Sequence, residues 1–515
     1  MLVPPVSTLR ELIDWRAQKF GDEVFLVDPS DGRKYTFAQV GAQAASVAAY
    51  IAQQGCKPGE SVAFAMSNGP DCAVCLLGIL YGGFRTTAVN LVSGASTIGY
   101  VLDHSEAKLV LSQRAHLNLL RDALSESGVT TPPTIIDVNE QWWESLSAEK
   151  SQASTAVELT PESDGLLMYT SGTTGRPKGV VLSHKNLLAA GQNPTVAHEL
   201  QPQDRALCVL PLYHINGFCT TVMAPLYSGS SVVMPDRFST RQFWEWMRVH
   251  RCTWFSVVPT HISYLLHQAT EAGHQTTGLE QVRFGRSASA PLAPDTQRSF
   301  EKVLGIPVVE TMGLTETGGQ ILSNPMPPGI RKIGSPGIAI GDEVIIADDK
   351  EQEVPSGVEA EILVRGDNVM NRYLKNPEAT RDALTESGWL RTGDLGRKDE
   401  DGYIFVTGRI KELIIKGGEN IAPREIDEAL YHHPDVVEAA AFACPCKNYG
   451  QRVEAAVSLA EDSTANEVEL LALCAKLLGE FKKPDRVHIL VELPKGPSGK
   501  IQRRKLTESL VDSQV

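Results

Sequence analysis

Apolar positions along the chain follow two rhythms. Helical spacing covers residues 42–53 and 73–81, whereas short β-rich apolar runs cover 61–65, 108–112, 206–210, 231–234, 254–258 and 307–310. Their alternation between residues 40 and 310 predicts helices layered on parallel sheets, because a strand buried on both faces reads as a continuous apolar run. From residue 337 to 407 the pattern changes to strands split by turns, with Asp-Asp-Lys-Glu at 348–351 and Asp-Glu-Asp-Gly at 399–402 as loops. That stretch predicts a β-rich subdomain.

A compact αβ pattern follows Gly408-Arg-Ile-Lys411: a helix over 424–433, strands over 436–444 and 453–459, a helix over 467–481 and a strand over 487–491. About a hundred residues suffice for a small domain. The expected fold is therefore α/β, with a large N-terminal domain, 1–410, of layered α/β subdomains plus a β-rich subdomain, and a small C-terminal α+β domain, 411–515.

Composition narrows the function classes. At 515 residues and 42% hydrophobic content the chain can bury several cores. A formal charge of −14 disfavours a general nucleic-acid binder, which neutralises phosphates with surplus Lys and Arg. Nine cysteines, an odd number set mostly in apolar stretches, read as reduced core thiols. Cys72 and Cys75 form a C-x-x-C and Cys444 and Cys446 a C-x-C, but neither has a second pair at zinc spacing, so no structural zinc is expected. The longest apolar run, 72–81, is far shorter than the roughly 20 residues that span a bilayer. The start shows no basic segment leading into an apolar run, so a cytoplasmic, membrane-free enzyme is the expectation.

The sharpest local signal is Tyr169-Thr-Ser-Gly-Thr-Thr-Gly-Arg-Pro-Lys-Gly179, directly after the apolar run at 165–168. Gly172, Gly175 and Gly179 let the backbone turn tightly and aim N–H groups at anionic oxygen. Thr170, Ser171, Thr173 and Thr174 add hydroxyls, and Lys178 adds charge. Such a loop suits a polyphosphate. It is not a Walker A motif, because G-x-x-x-x-G-K-[ST] is absent and Pro177 precedes the lysine.

This segment resembles the signature loop of the acyl-adenylate-forming superfamily, which holds acyl-CoA synthetases, stand-alone adenylation domains and beetle luciferases. Later motifs follow in the family's order. The resemblance implies that Thr170, Ser171, Gly172, Thr173, Thr174, Gly175 and Lys178 hold the β- and γ-phosphates of ATP. In Gly313-Leu-Thr-Glu316, Thr315 would contact the α-phosphate and Glu316 would bind Mg²⁺, a hard cation that takes carboxylate and phosphate oxygens. Where the family usually has an aromatic residue against adenine this chain has Met312, so the pocket would lean on Ala288, Ser289, Ala290, Glu310, Met312 and Gly313.

Gly388-Trp-Leu-Arg-Thr-Gly-Asp394 and Gly408-Arg409 resemble the ribose-binding pair, Asp394 accepting from the hydroxyls and Arg409 donating to them. Leu493-Pro-Lys-Gly-Pro-Ser-Gly-Lys500 resembles the terminal lysine motif. A carboxylate attacking an α-phosphate needs a cation between the two anions, which Lys500 would supply. Arg503, Arg504 and Lys505, next along the chain, read as surface charge. The resemblance also implies a hinge near Lys411, about which a mobile small domain would swing Lys500 away and bring Lys416, Gly417 and Gly418 to the cleft for CoA.

Two features bear on the acid. Pro211-Leu-Tyr-His-Ile-Asn-Gly-Phe218 resembles the motif bordering the acyl pocket, making His214 a candidate wall with a catalytic role. Arg286, in Arg283-Phe-Gly-Arg-Ser-Ala-Ser-Ala-Pro-Leu292, stands where many relatives carry small or apolar residues. At a pocket wall it would bind a second carboxylate or a sulfonate bidentately; the alternative places it at the surface or against Glu310. Residues 286–292 together with Ser323-Asn-Pro-Met-Pro-Pro328 resemble ligases of small dianionic acids such as oxalyl-CoA synthetase. The expected activity is an AMP-forming acid:CoA ligase with ATP, Mg²⁺ and CoA, acting on oxalate, malonate or sulfoacetate, and compatible with a homodimer. Alternatives are an enzyme loading a carrier protein, a ligase of aromatic or medium-chain acids, and a non-catalytic nucleotide-binding relative. The last is disfavoured because Lys178, Glu316, Asp394, Arg409 and Lys500 are all present.

Overall fold

A computed structural model describes residues 3–129, 131–148, 158–170, 176–271, 277–496 and 500–511. The alternating region forms two predominantly parallel sheets, as the continuous apolar runs require. One has seven strands in the spatial order Arg372–Tyr373, Lys178–Ser183, Asp164–Thr170, Arg85–Ala88, Ser61–Ala65, Leu109–Ser112 and Thr134–Asp137. The other has nine, with Val308–Leu314, Phe284–Ser287, Trp254–Val257, Arg205–Cys208, Ser231–Val233 and Val24–Val27 pairing in parallel at its centre. Ser61–Ala65, Leu109–Ser112, Trp254–Val257 and Phe284–Ser287 are buried at every position. Helix His184–Ala197, started by a Ser183 hydroxyl that accepts from the Asn186 N–H, packs against strands of both sheets and joins them into one large domain.

The stretch read as β-rich forms a four-stranded antiparallel sheet of Glu343–Ala347, Ala360–Arg365, Leu390–Lys398 and Ile404–Arg409. It is interrupted by helix Pro377–Ala383, capped by Asn376. The smaller C-terminal domain is a five-stranded sheet, built around the long hairpin of Val436–Cys446 and Gly450–Leu459, with helices Pro423–Tyr431 and Glu467–Lys482 packed on it.

The basic run after Lys500 does not lie wholly at the surface. Arg503 opens a further helix, Arg503–Val511, and is not a surface charge. Its side chain is 26% exposed and donates to the Asp427 carboxylate at 2.5 Å and to the Ala441 carbonyl at 2.7 Å. A short run of basic residues carries no periodicity that separates the one turned inward from its exposed neighbours. All nine cysteines are free, and all but Cys446 are buried. Among the described residues, no helix is long and apolar enough to cross a membrane.

Candidate active site

Most of the described sequence-selected residues lie at the ends of strands of the two parallel sheets or where the small domain meets them. Residues 171–175 of the phosphate loop lie outside the described residues. Their flanks are fixed: Thr170 pairs with Lys178 in the antiparallel register of Asp164–Thr170 and Lys178–Ser183, closing the two ends of the loop on each other. The Lys178 ammonium lies 4.9 Å from the centre of the Tyr373 ring, whose hydroxyl donates to Glu316 Oε1 at 2.8 Å. Tyr373 thus stands between the phosphate-loop lysine and the expected Mg²⁺ ligand. Glu316 follows strand Val308–Leu314 in a single 3-10 turn with Thr315, and the Met370 N–H fixes its carbonyl at 2.7 Å. A hard carboxylate next to a lysine-bearing loop suits an Mg²⁺–phosphate complex, to which the ion would bring charge neutralisation at the phosphate oxygens.

Gly313 is dictated by its neighbour. A Cβ there would lie 1.9 Å from the Gly319 carbonyl oxygen, since strand Gly319–Ser323 doubles back on Val308–Leu314 at a register shift between Met312 and Gly313. Met312 is half-buried against the main core. Ala288, Ser289 and Ala290 leave the end of strand Phe284–Ser287, with Ser289 held at φ 74° in the left-handed region, a conformation found where surroundings over-determine the backbone. Glu310 is buried. Its Oε1 accepts from the Leu292 N–H at 3.0 Å, while Oε2 has no partner among the described residues. Burial raises the Glu310 carboxyl, and Arg424 of the small domain opposes that rise.

Asp394 and Arg409 face each other in register on neighbouring strands. Arg409 donates to the carboxylate through Nε and, at 3.3 Å, through Nη2, so each satisfies the other until hydroxyl groups compete for them. Lys500 arrives from the small domain. Its ammonium is 4.0 Å from Glu412, and desolvation in the cleft depresses its pKa, with Glu412 opposing. A cavity of about 100 Å³ between the domains is lined by Ser289, Ala290, Leu292, Arg424, Lys500 and Arg503, among others. The CoA candidates are not in this cleft. Lys416 donates to the Phe481 carbonyl at 2.8 Å within the small domain, and Gly417 and Gly418, at φ 62° and 91°, make the tight turn between Ile414–Lys416 and Glu419–Ile421. Lys411 lies in the 3-10 turn Ile410–Glu412 that leads from the last β-subdomain strand into the small domain.

Arg286 is neither at the surface nor paired with Glu310. It is 2% exposed on strand Phe284–Ser287. Its Nη1 donates to Asn216 Oδ1 at 2.7 Å and Ser256 Oγ at 3.0 Å, and its Nε to Gln320 Oε1 at 3.3 Å. All three acceptors are neutral, no described carboxylate pairs with it, and burial pushes its pKa down to about 9. His214 sits two residues before Asn216, half-buried with its ring edge-on to Tyr213, just ahead of the π-helix Asn216–Met223. Asn216 Nδ2 donates to Ser289 Oγ at 3.3 Å, which ties the Arg286 surroundings to the expected adenine segment. Sequence reading missed Tyr373, Ser256 and Gln320 as members of the site. Gln320 directly follows the Gly318-Gly319 pair and was discoverable as a polar residue inside an apolar strand; Tyr373 and Ser256 carry no local signal.

A two-domain α/β fold with a glycine- and hydroxyl-rich segment between Thr170 and Lys178, a carboxylate at Glu316 beside it and Lys500 brought in on the small domain is the arrangement expected of a nucleotide-activating ligase. Residues 13–374 match the family model described as AMP-binding enzyme, and 425–500 that of the AMP-binding enzyme C-terminal domain. The chain belongs to the AMP-binding enzyme family, and within it is an AMP-forming acid:CoA ligase that uses ATP and CoA. It is 44% identical to a sulfoacetate–CoA ligase of Cupriavidus necator over 97% of both chains. It is 36% identical to an oxalate–CoA ligase of Arabidopsis thaliana over 90% of both. Its structure is similar to the ATP-bound crystal structure of MatB from Rhodopseudomonas palustris, with TM-score 0.89 and 28% identity over 99% of this chain and 100% of that one.

Proposed function

We propose that the acid activated by this ligase is short and carries a second anionic group, a sulfonate or carboxylate, which Arg286 anchors. The observation that carries this reading is a fully buried guanidinium with only neutral acceptors. An unpaired buried cation is costly to maintain, and an anion delivered by the substrate supplies the missing counter-charge. The names of two relatives, sulfoacetate–CoA ligase and oxalate–CoA ligase, refer to acids of this class.

In this reading the 170–175 loop and Lys178 hold the β- and γ-phosphates. Thr315 contacts the α-phosphate, Glu316 holds Mg²⁺, Ala288 to Ala290, Glu310, Met312 and Gly313 surround adenine, and Asp394 and Arg409 take the ribose. Anchored by Arg286 and bordered by His214, the acid presents its other carboxylate to the α-phosphorus. A carboxylate oxygen bonds to phosphorus, the bond to pyrophosphate breaks, and Lys500 lies between the like charges. Rotation about Lys411 then brings Lys416, Gly417 and Gly418 to the cleft. The CoA sulfur, having lost its proton, attacks the acyl carbon and AMP departs. A cytoplasmic location belongs to the same reading, supported by nine unpaired thiols, the state that reducing compartments maintain.

The test is acid-dependent AMP and pyrophosphate formation with sulfoacetate, oxalate, malonate, acetate, benzoate and octanoate, comparing the wild type with Arg286→Ala. The wild type should turn over the dianions, and Arg286→Ala should lose about 100-fold in kcat/KM for them, the loss of a charged hydrogen-bonded contact. An unchanged preference for dianions in the variant would refute the assignment.

A further inference from the structure

Behind Arg286 lies a buried relay that none of the roles above employs. Arg286 has only donors, so the Gln320 atom 3.3 Å from its Nε must be the carbonyl oxygen, Oε1. His198 Nε2 lies 3.1 Å from that same oxygen. An acceptor already facing a guanidinium can receive only another donor, so His198 carries its proton on Nε2. Its Nδ1 is then a buried acceptor with no partner among the described residues.

The imidazole is fully buried against the rings of Phe284 at 5.0 Å and Trp254 at 6.3 Å. Phe284 and Arg286 are two positions apart on one strand and so share a face. Burial, and then the neighbouring Arg286, keep His198 neutral. With Oε1 engaged twice, the Gln320 NH2 group is buried and has no acceptor among the described residues. An unsatisfied buried donor is costly, and this one, beside a guanidinium that no described carboxylate pairs with, points to an acceptor supplied from outside the chain.

We propose that Gln320 is a specificity-determining residue: its carbonyl orients Arg286, its NH2 donates to the second anionic group of the acid, and His198 is the positioning residue that locks the amide in that sense. The proposal rests on the reading of Arg286 given above. Two donors from different strands, Arg286 on one and Gln320 on the other, then meet the anion from two directions, which a monoanionic acid cannot exploit.

The test uses the full-length enzyme and its Gln320→Leu, His198→Phe, His198→Gln and Arg286→Ala variants. ATP–pyrophosphate exchange is measured with sulfoacetate, oxalate and malonate against acetate and propionate, together with KM for ATP and the unfolding midpoint. Gln320→Leu should raise KM for the dianions roughly 10- to 100-fold with KM for ATP unaltered, so the dianion-to-monoanion ratio of kcat/KM falls. His198→Phe should shift that ratio in the same direction by about 5- to 10-fold, and His198→Gln, which restores a donor at the same reach, should recover it. A folded Gln320→Leu enzyme with the wild-type ratio, or one slowed equally on every acid, would overturn the proposal. If Arg286→Ala loses dianion preference while Gln320→Leu keeps it, the relay alone fails; if neither changes it, the underlying anion-anchor reading fails as well. Should Gln320→Leu not fold, Gln320→Asn, which draws the amide back by one methylene, and His198→Phe decide the matter by the same ratio.

Discussion

Lys500 reaches the cleft from the small domain with its pKa lowered by desolvation, which makes its charge, and therefore its proposed role, sensitive to alkaline pH. ATP–pyrophosphate exchange should decline as pH rises through that lowered value, because the ammonium is lost there and intact below it. Lys500→Arg should move the alkaline limb upward, and Lys500→Ala should cost roughly 100- to 1,000-fold in exchange. A second titrating residue acts on stability. Asp342 is pushed up to about 7 by burial, against hydrogen bonds donated by Asn368 and Asn193, and its Oδ1 has no partner among the described residues. The folded state prefers the protonated acid, so this group's contribution is fully present below about pH 4, the unfolded value, and disappears as pH climbs to about 7. Asp342→Asn should therefore be more stable than the wild type near neutral pH and indistinguishable from it below pH 4, by denaturant unfolding across that range.

Elements were legible where burial imposes a simple pattern. The expected run 61–65 coincides with strand Ser61–Ala65, and 467–481 falls within helix Glu467–Lys482, because an all-buried strand and an amphipathic helix each leave an unambiguous trace. Strand Val308–Leu314 continues past the expected 310 into Gly313, since its extension is fixed by a partner strand that doubles back and not by its own composition. That pairing also makes Gly313 a sensitive position. With a Cβ 1.9 Å from the Gly319 oxygen, Gly313→Ala must push the two strands apart, and a loss of about 1–3 kcal/mol in stability with a marked drop in adenylation is expected from unfolding and exchange assays. The π-helix Asn216–Met223, which carries the Arg286 acceptor, had no sequence signature, because its extra residue per turn is set by surrounding strands. The motif around His214 located it only approximately. Within the site, charged residues in glycine-bearing motifs could be named from the sequence. The neutral ones were harder: Gln320 stood out only as a polar residue in an apolar strand, with no hint of its role, and Ser256 not at all, since their chemistry arises from strands brought together in space.

Polar contacts between the domains include His432 Nδ1 to Asp295 Oδ2 at 2.6 Å, Lys495 to the Tyr264 hydroxyl at 3.1 Å, and Arg424 to the Val406 and Gly334 carbonyls. Contacts of this kind are individually weak, which suits the proposed rotation about Lys411. Asp295→Asn combined with Tyr264→Phe should slow exchange by about two- to fivefold while leaving the transfer of a preformed acyl-adenylate to CoA unaffected, measured by single-turnover thioester formation. The surroundings of Arg286 bear on the enzyme's ancestry and future. Two of its three acceptors keep another donor without it: Ser256 for Asn216 Oδ1, His198 for Gln320 Oε1. Replacing the arginine by a methionine therefore strands no carboxylate, so on the role proposed for Arg286 a single substitution exchanges one class of acid for another without leaving a buried charge unpaired.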